Sequence, residues 1–91
     1  MKRIKRVSTL HDTKYRNLVG LLVEMRKRTG LTQVELAEKL GVTQPDISKI
    51  ERFERKIDAL ELIEWLQVFS DEERVNAHEI WKEVYQNYCK P

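Results

Sequence analysis

The stretch TQVELAEKLGVTQPDISKIE, residues 32–51, contains two short runs of helical periodicity that open with the same polar pair. The pairs are Thr32-Gln33 and Thr43-Gln44, and Gly41 lies between the two runs. Each threonine is followed three residues later by an acid, a spacing typical of the capping box at a helix N-terminus. Glycine enters the left-handed conformation without a steric cost and commonly ends a helix. This stretch therefore predicts two short helices joined by a tight turn.

The apolar residues of this stretch determine how the two helices meet. Leu36, Ala37 and Leu40 form the apolar face of the first, and Ile47 and Ile50 form that of the second. The connection is too short for antiparallel packing, so the two faces must cross at a steep angle. The small side chain of Ala37 lets the backbones approach. This is the helix-turn-helix pattern, which presents the N-terminus of its second helix outward.

Periodicity and capping residues predict three more helices. The first helix of the chain is expected to run from a cap at Thr13 to about Thr29. A fourth is expected over about 58–69 with Asp58 as its cap, and a fifth over about 71–88. With three glycines and two prolines in 91 residues, the composition favours an all-α fold of one domain.

Basic residues concentrate at the N-terminal end of the chain. Residues 1–30 hold nine Lys and Arg against two Asp and Glu, whereas residues 61–91 hold three against seven. The first end suits a polyanion, and the other end would be repelled by one. On charge alone, a solvated basic tail is the alternative interpretation.

Several classes of protein are disfavoured by what the sequence lacks. No stretch approaches the roughly 18 apolar residues that span a bilayer, and no apolar segment follows the basic N-terminus as in a secretory signal. The single cysteine, Cys89, excludes an intramolecular disulfide and fits a reducing cytosol, so we expect a cytoplasmic protein without membrane contact. His11 and His78 offer no zinc-binding spacing with it. No nucleophile stands beside an evident base, so we expect neither an enzyme nor a bound cofactor or metal.

The segment from about Met25 to Phe69 resembles the Cro and phage-repressor-like (XRE) helix-turn-helix family of transcriptional regulators. The residues that carry the likeness are Arg26, Gly30-Leu31-Thr32-Gln33, Leu36-Ala37, Leu40-Gly41-Val42, Gln44, Ile47-Ser48-Lys49-Ile50-Glu51 and Arg55. The resemblance implies a lambda-repressor-like domain of five helices that binds double-stranded DNA, with its third helix in the major groove.

The resemblance also implies which side chains contact DNA bases. The first residues of the third helix would lie at base edges, where the amide of Gln44 can pair with N6 and N7 of adenine. Thr43 is either the helix cap or a base contact, and Asp46 either completes the cap or accepts from cytosine N4. Ser48 and Lys49 face outward, within reach of a base or a phosphate, and phosphate is favoured for Lys49.

Phosphate contacts are expected from polar and basic side chains around the third helix. These are Gln33, Lys49, Arg52, Arg55 and Lys56. Gln33 resembles the family glutamine that clamps a phosphate and braces the first recognition residue, beside a helix N-terminus that favours anions. The N-terminal arm follows the minor groove or the backbone, or else forms a disordered tail. Its basic residues are Lys2, Arg3, Lys5 and Arg6.

Two further positions have a structural interpretation. Arg26 and Glu51 are expected to pair inside the domain, tying the first helix to the third, with phosphate contact as the alternative for Arg26. Phe53 stands at a position where glycine is common in the family. A left-handed turn there would be strained for phenylalanine, so the sequence leaves the path of this linker open. Phe53 is then either an exposed anchor or a cover for the core.

The fourth helix has more apolar residues than one buried stripe needs. One stripe consists of Ala59, Ile63 and Leu66, and the other of Leu62, Trp65 and Phe69. Either the fifth helix packs on the second stripe within one chain, or part of this surface forms a homodimer. The residues expected at that interface are Leu62, Trp65, Phe69, Trp81 and Tyr85.

We therefore divide the chain into a basic arm over 1–12, a helix-turn-helix DNA-binding domain over 13–70, and a C-terminal helix over 71–91. The predicted function is sequence-specific DNA binding by a small repressor that occupies a palindromic operator as a homodimer. One alternative is an antitoxin-like protein that holds a partner protein through its C-terminal helices and binds DNA as a complex. Another is a protein-contact role in which the fold no longer distinguishes DNA sequences.

Overall fold

The computed structural model describes residues 12–72, 77–84 and 86, and the regular secondary structure within these ranges is entirely helical. Its helices are α1 (Thr13–Thr29), α2 (Gln33–Leu40), α3 (Gln44–Glu51), α4 (Ala59–Asp71) and α5 (Ala77–Val84). The all-α prediction is confirmed. That α5 completes a lambda-repressor-like domain of five helices stays a prediction.

Side-chain caps set the starts of three helices. Asp12, and not Thr13, caps α1, because its carboxylate accepts hydrogen bonds from the backbone N–H groups of Lys14 and Tyr15 at 2.8 and 3.1 Å. The predicted capping box between Thr32 and Glu35 is present at the start of α2, with both hydrogen bonds formed. Asp58 caps α4 as predicted.

The turn between α2 and α3 depends on a left-handed glycine. Gly41 has φ of 71° and ends α2, as predicted. The next helix starts at Gln44, only three residues later. Leu36 and Ala37 on α2 and Ile47 on α3 are buried, so the two helices meet through the faces that the sequence predicts.

The core lies between α1, α2, α3 and α4. Its buried members are Tyr15, Val19, Leu21, Leu22, Met25, Leu36, Ala37, Ile47, Ile50, Ile57, Trp65, Leu66 and Phe69. Tyr15 also accepts a hydrogen bond on its hydroxyl from the backbone N–H of Ile57 at 3.0 Å. This bond joins α1 to the segment before α4 and satisfies a buried donor.

The fourth helix ends later than predicted, and one residue of a predicted buried stripe is exposed. It continues through Asp71, so a fifth helix does not start there. Trp65 and Phe69 are buried in the core of the single chain with their rings edge to face. Both are buried within the single chain, and the assignment of these residues to a homodimer or to a helix-five interface stays a prediction. Ile63, expected in a buried stripe, is 51% exposed, and Leu60 is 66% exposed.

Phe53 adopts the left-handed conformation despite its Cβ, with φ of 61°. Its ring packs against the core, and the guanidinium carbon of Arg16 lies 4.6 Å from the ring centroid. The ring therefore covers the core and is not an exposed anchor. These contacts offset the steric cost that a non-glycine residue pays in this region of backbone space.

Candidate nucleic-acid interface

A line of hydrogen bonds runs from the start of α3, past the start of α2, into the interior of the domain. Gln44 donates from Nε2 to Oε1 of Gln33 at 2.7 Å. Gln33 donates from its own Nε2 to Oε1 of Glu51 at 2.8 Å. Glu51 also accepts from Nε and Nη2 of Arg26 at 2.7 and 3.0 Å. Four residues that carry the family resemblance thus form one connected network.

The inner end of this network is a nearly buried ion pair. The side chains of Arg26 and Glu51 are 12% and 6% exposed, which confirms the predicted pairing of the first helix with the third. Arg26 also donates from Nη1 to the backbone carbonyl of Leu31 at 2.9 Å. Its guanidinium is therefore occupied inside the domain, and the alternative of a phosphate contact is not supported.

The outer end of the network places two amide side chains at two helix N-termini. Gln33 and Gln44 are the first residues of α2 and α3, each directly after its capping threonine. Because the turn at Gly41 is so short, the two starts lie side by side, and the amides come within hydrogen-bonding distance. The free N–H groups and the dipole of a helix N-terminus favour an anion there.

The start of α3 is organised by Thr43 and Asp46. The Asp46 carboxylate accepts from the backbone N–H of Thr43 at 3.0 Å and from its hydroxyl at 2.7 Å. These hydrogen bonds lower the pKa of Asp46 below its ordinary value of 3.8. Asp46 therefore completes the cap, which is one of the two roles predicted for it. The hydroxyl of Thr43 gives its proton to Asp46, so its oxygen is left as an acceptor.

Several predicted DNA-contacting side chains lie on α3 and in the turn after it. Ser48 is partly exposed, and Lys49, Arg52 and Lys56 are exposed. Arg52 lies 3.2 Å from the carboxylate of Glu54 at the surface, a pairing that solvent weakens. These cations are available to a polyanion.

Arg55 differs from the other predicted phosphate contacts because it has a carboxylate partner. It donates from Nη1 and Nη2 to the two oxygens of Glu61, at 3.1 and 2.7 Å. The hydrogen bonds from Arg55 lower the pKa of Glu61, and the same pairing raises the pKa of Arg55. The pair ties the turn to α4. The sequence gives no signal for this pair, since Arg55 lies in the turn after α3 and Glu61 in the first turn of α4, and no single periodicity relates them.

The remaining predicted residues lie outside what the structure describes. They are the arm residues Lys2, Arg3, Lys5 and Arg6, the whole of Tyr85 and the side chain of Trp81. Among the described residues, no cluster of His, Cys, Asp or Glu is arranged to hold a metal ion. No helix in these ranges has the length and apolar character needed to cross a bilayer.

Two known proteins are similar in sequence to part of this chain. Two curated relatives, both called Antitoxin HigA1, come from Mycobacterium tuberculosis strains CDC 1551 / Oshkosh and ATCC 25618 / H37Rv. Each is 44% identical to this chain over 45 residues, which is 48% of this chain and 30% of the relative. The similarity therefore covers less than a third of those proteins.

A family model described as helix-turn-helix matches residues 22–70, more than half of the chain. The matched region contains α2, α3, all of α4 except its last residue and the whole network from Arg26 to Gln44. This match supports DNA binding and transcription regulation. On this match and this geometry, the chain belongs to the XRE-type helix-turn-helix family.

Proposed function

We propose that this protein is a sequence-specific regulator that binds double-stranded DNA, most simply a repressor that occupies a near-palindromic operator as a homodimer. The observation that carries the proposal is the 2.7 Å hydrogen bond between Gln44 and Gln33. It holds an amide at the start of α3 in a defined orientation, which direct recognition of a base requires.

Gln44 is the principal base contact in this proposal. Its amide is partly exposed at the outward end of α3, so it can enter the major groove together with Thr43 and Ser48. Gln33 has a second N–H that its bond to Glu51 does not use, and this N–H can donate to a phosphate. Gln33 would thus brace Gln44 and hold the DNA backbone at the same time.

Basic side chains around α3 supply the contacts that do not depend on sequence. Lys49, Arg52 and Lys56 are exposed and would approach phosphates on either side of the recognition helix. Arg55 would join them while sharing its guanidinium with Glu61. The basic arm, residues 2–6, would extend this surface along the minor groove or backbone.

The homodimer is proposed to form through the exposed apolar side of α4. Leu60 and Ile63 are one helical turn apart and 66% and 51% exposed, although both are large apolar residues. A second copy of the chain could cover the same face by two-fold symmetry. A symmetric dimer binds two half-sites about one turn of DNA apart, and this adds the affinity that one small domain lacks.

Selection from a random duplex library at about 0.2 M salt tests DNA recognition, since this salt suppresses weak electrostatic binding. We expect an enriched near-palindrome. Gln44→Ala should weaken binding to it by about 1–3 kcal/mol and leave binding to random DNA nearly unchanged. Gln67→Ala is the matched control, because Gln67 is an exposed glutamine on α4. Equal losses on both kinds of DNA would refute base recognition by Gln44.

Sedimentation without DNA tests the dimer. Ile63→Glu should shift the protein to monomers, because it places two carboxylates at the proposed two-fold contact. Val34→Glu is the control, since Val34 is also 51% exposed but lies on α2. A dimer that survives Ile63→Glu, or one that Val34→Glu disrupts equally, would place the interface elsewhere.

A second candidate function follows from the names of the curated relatives. Both are called antitoxins, so we also propose an antitoxin-like role in which this chain holds a partner protein through its C-terminal helices. Copurification of a second small protein encoded beside this one, with DNA binding that requires it, would favour this function. Tight, specific DNA binding by the isolated chain favours the free repressor.

A further inference from the structure

We infer that Glu51 is a specificity-determining positioning residue, which sets the direction of the hydrogen bonds through Gln33 and thereby makes Gln44 select adenine over guanine. This inference rests on the proposed function. The side chain of Glu51 is 6% exposed and lies at the opposite end of α3 from Gln44, so it acts through its neighbours and not on DNA.

Each group in the network has a fixed capacity to donate and accept hydrogen bonds. An amide side chain can donate from its nitrogen or accept on its oxygen, and a half-turn of the amide exchanges the two. A carboxylate paired with a guanidinium accepts only. Because Glu51 accepts at 2.7 and 3.0 Å from Arg26, it presents only an acceptor to Gln33.

Each of the next two hydrogen bonds can then have its donor on one side only. Gln33 must turn its nitrogen toward Glu51, and it does so at 2.8 Å. Its oxygen must therefore face Gln44. Gln44 has to donate from Nε2 to that oxygen, as it does at 2.7 Å. The buried ion pair thus decides which way both amides point.

The orientation of Gln44 determines which base it can match. With one N–H given to Gln33, it has one N–H and its carbonyl oxygen left for DNA. Adenine offers an acceptor at N7 and a donor at N6, which match this pair. Guanine offers acceptors at both N7 and O6, so the oxygen of Gln44 would face O6 without a proton between them. In the reversed direction, Gln44 would present two N–H donors and would match guanine.

The decisive variants change the inner end of the network and leave both glutamines in place. Arg26→Met with Glu51→Met removes the acceptor, and replacing both members of a buried ion pair by apolar residues commonly preserves stability. Arg26→Glu with Glu51→Arg substitutes a group that only donates. Arg26→Lys is the matched control, because it disturbs the ion pair but retains the carboxylate.

The experiment is competition binding at about 0.2 M salt between selected operators that carry adenine or guanine at one position. That position is the one whose preference Gln44→Ala abolishes. The unmodified protein should prefer adenine about tenfold to a hundredfold, the range of one paired base contact. The methionine pair should reduce the ratio to about threefold or less, and the charge-swapped variant should favour guanine. Arg26→Lys should keep the original ratio.

Three results would overturn the inference. A methionine pair that keeps the original ratio shows that the carboxylate does not set the direction. An equal loss in Arg26→Lys shows that any loosening of the domain has the same effect. A selected operator with no Gln44-dependent adenine shows that the proposed base recognition has failed as well, which distinguishes that failure from the first two. Thermal melts establish which variants fold. If the methionine pair does not fold, the charge-swapped variant tests the inference, and a preference for adenine in that variant overturns it.

Discussion

Phe53 offers a test of backbone strain. At this position glycine should give a more stable protein than alanine, which is the reverse of their usual order within helices. Its φ of 61° lies in the left-handed region, where a Cβ costs about 1–2 kcal/mol. Phe53→Ala removes the ring but keeps the Cβ, whereas Phe53→Gly removes both. The difference between these two variants therefore isolates the strain from the packing.

The contacts of the ring give the size of each effect. Phe53 is partly buried against the core, so its loss should cost about 2 kcal/mol, roughly half of a fully buried phenylalanine. The contact with Arg16 adds about 0.5–1 kcal/mol. Glycine pays about 0.5–1 kcal/mol in backbone entropy relative to alanine but avoids the left-handed cost. Both variants should be less stable than the parent. The free energy of unfolding of Phe53→Gly should exceed that of Phe53→Ala by about 0.5–1 kcal/mol.

Urea denaturation followed by circular dichroism measures the free energy of unfolding of each variant. Gln67, exposed within α4, provides the control, because an ordinary helical position should favour alanine over glycine by about 1 kcal/mol. If Phe53→Ala equals or exceeds Phe53→Gly in stability, the left-handed turn after α3 is wrong. If neither variant lost stability, the Phe53 ring would contribute no packing energy to the core.

Three further results are expected. Asp12→Ala should lower the free energy of unfolding by about 1 kcal/mol while Thr13→Ala has little effect, because the Asp12 carboxylate holds the free N–H groups of α1; thermal melts of both variants check this order. Tyr15→Phe should cost about 1–3 kcal/mol in urea unfolding, since it leaves the buried N–H of Ile57 without its acceptor. The pKa of Glu61 is lowered from 4.5, so the stability that it contributes is fully present above pH 4.5 and is lost as the pH falls through its folded value. Glu61→Gln should therefore lower the free energy of unfolding near pH 7 and make its decline below pH 4.5 shallower. Urea melts of both proteins across this range measure the two profiles, and parallel profiles would show that Glu61 does not contribute in this way.

The sequence predicts which residues form the candidate site better than it predicts the hydrogen bonds between them. Gln33, Gln44 and the Arg26–Glu51 pair were identified by resemblance, and the structure joins them. The hydrogen bond from Gln33 to Glu51 joins the start of α2 to the end of α3, between residues 18 positions apart, so no local spacing indicates it. It is this bond that gives the two amides a direction.

The errors in the predicted fold have physical causes of two kinds. Asp12 and Thr13 are both acceptable caps, and only the backbone geometry shows that Asp12 reaches the free N–H groups of α1. On α4, the apolar residues cover more than one face, so periodicity cannot show which face meets the core. In the folded chain α4 contacts α1, α2 and α5, and it buries Trp65 and Phe69 while Ile63 stays exposed.

The sequence by itself determined the features that rest on local chemistry. The threonines before α2 and α3 and the glycine after α2 act within a few residues, so they place these two helices and the turn between them. Only the tertiary structure decided which side of α4 is buried, how Phe53 offsets a left-handed backbone, and which atoms of Gln33 and Gln44 meet. Those outcomes depend on contacts between helices, and the energies of such contacts arise only when the chain has folded.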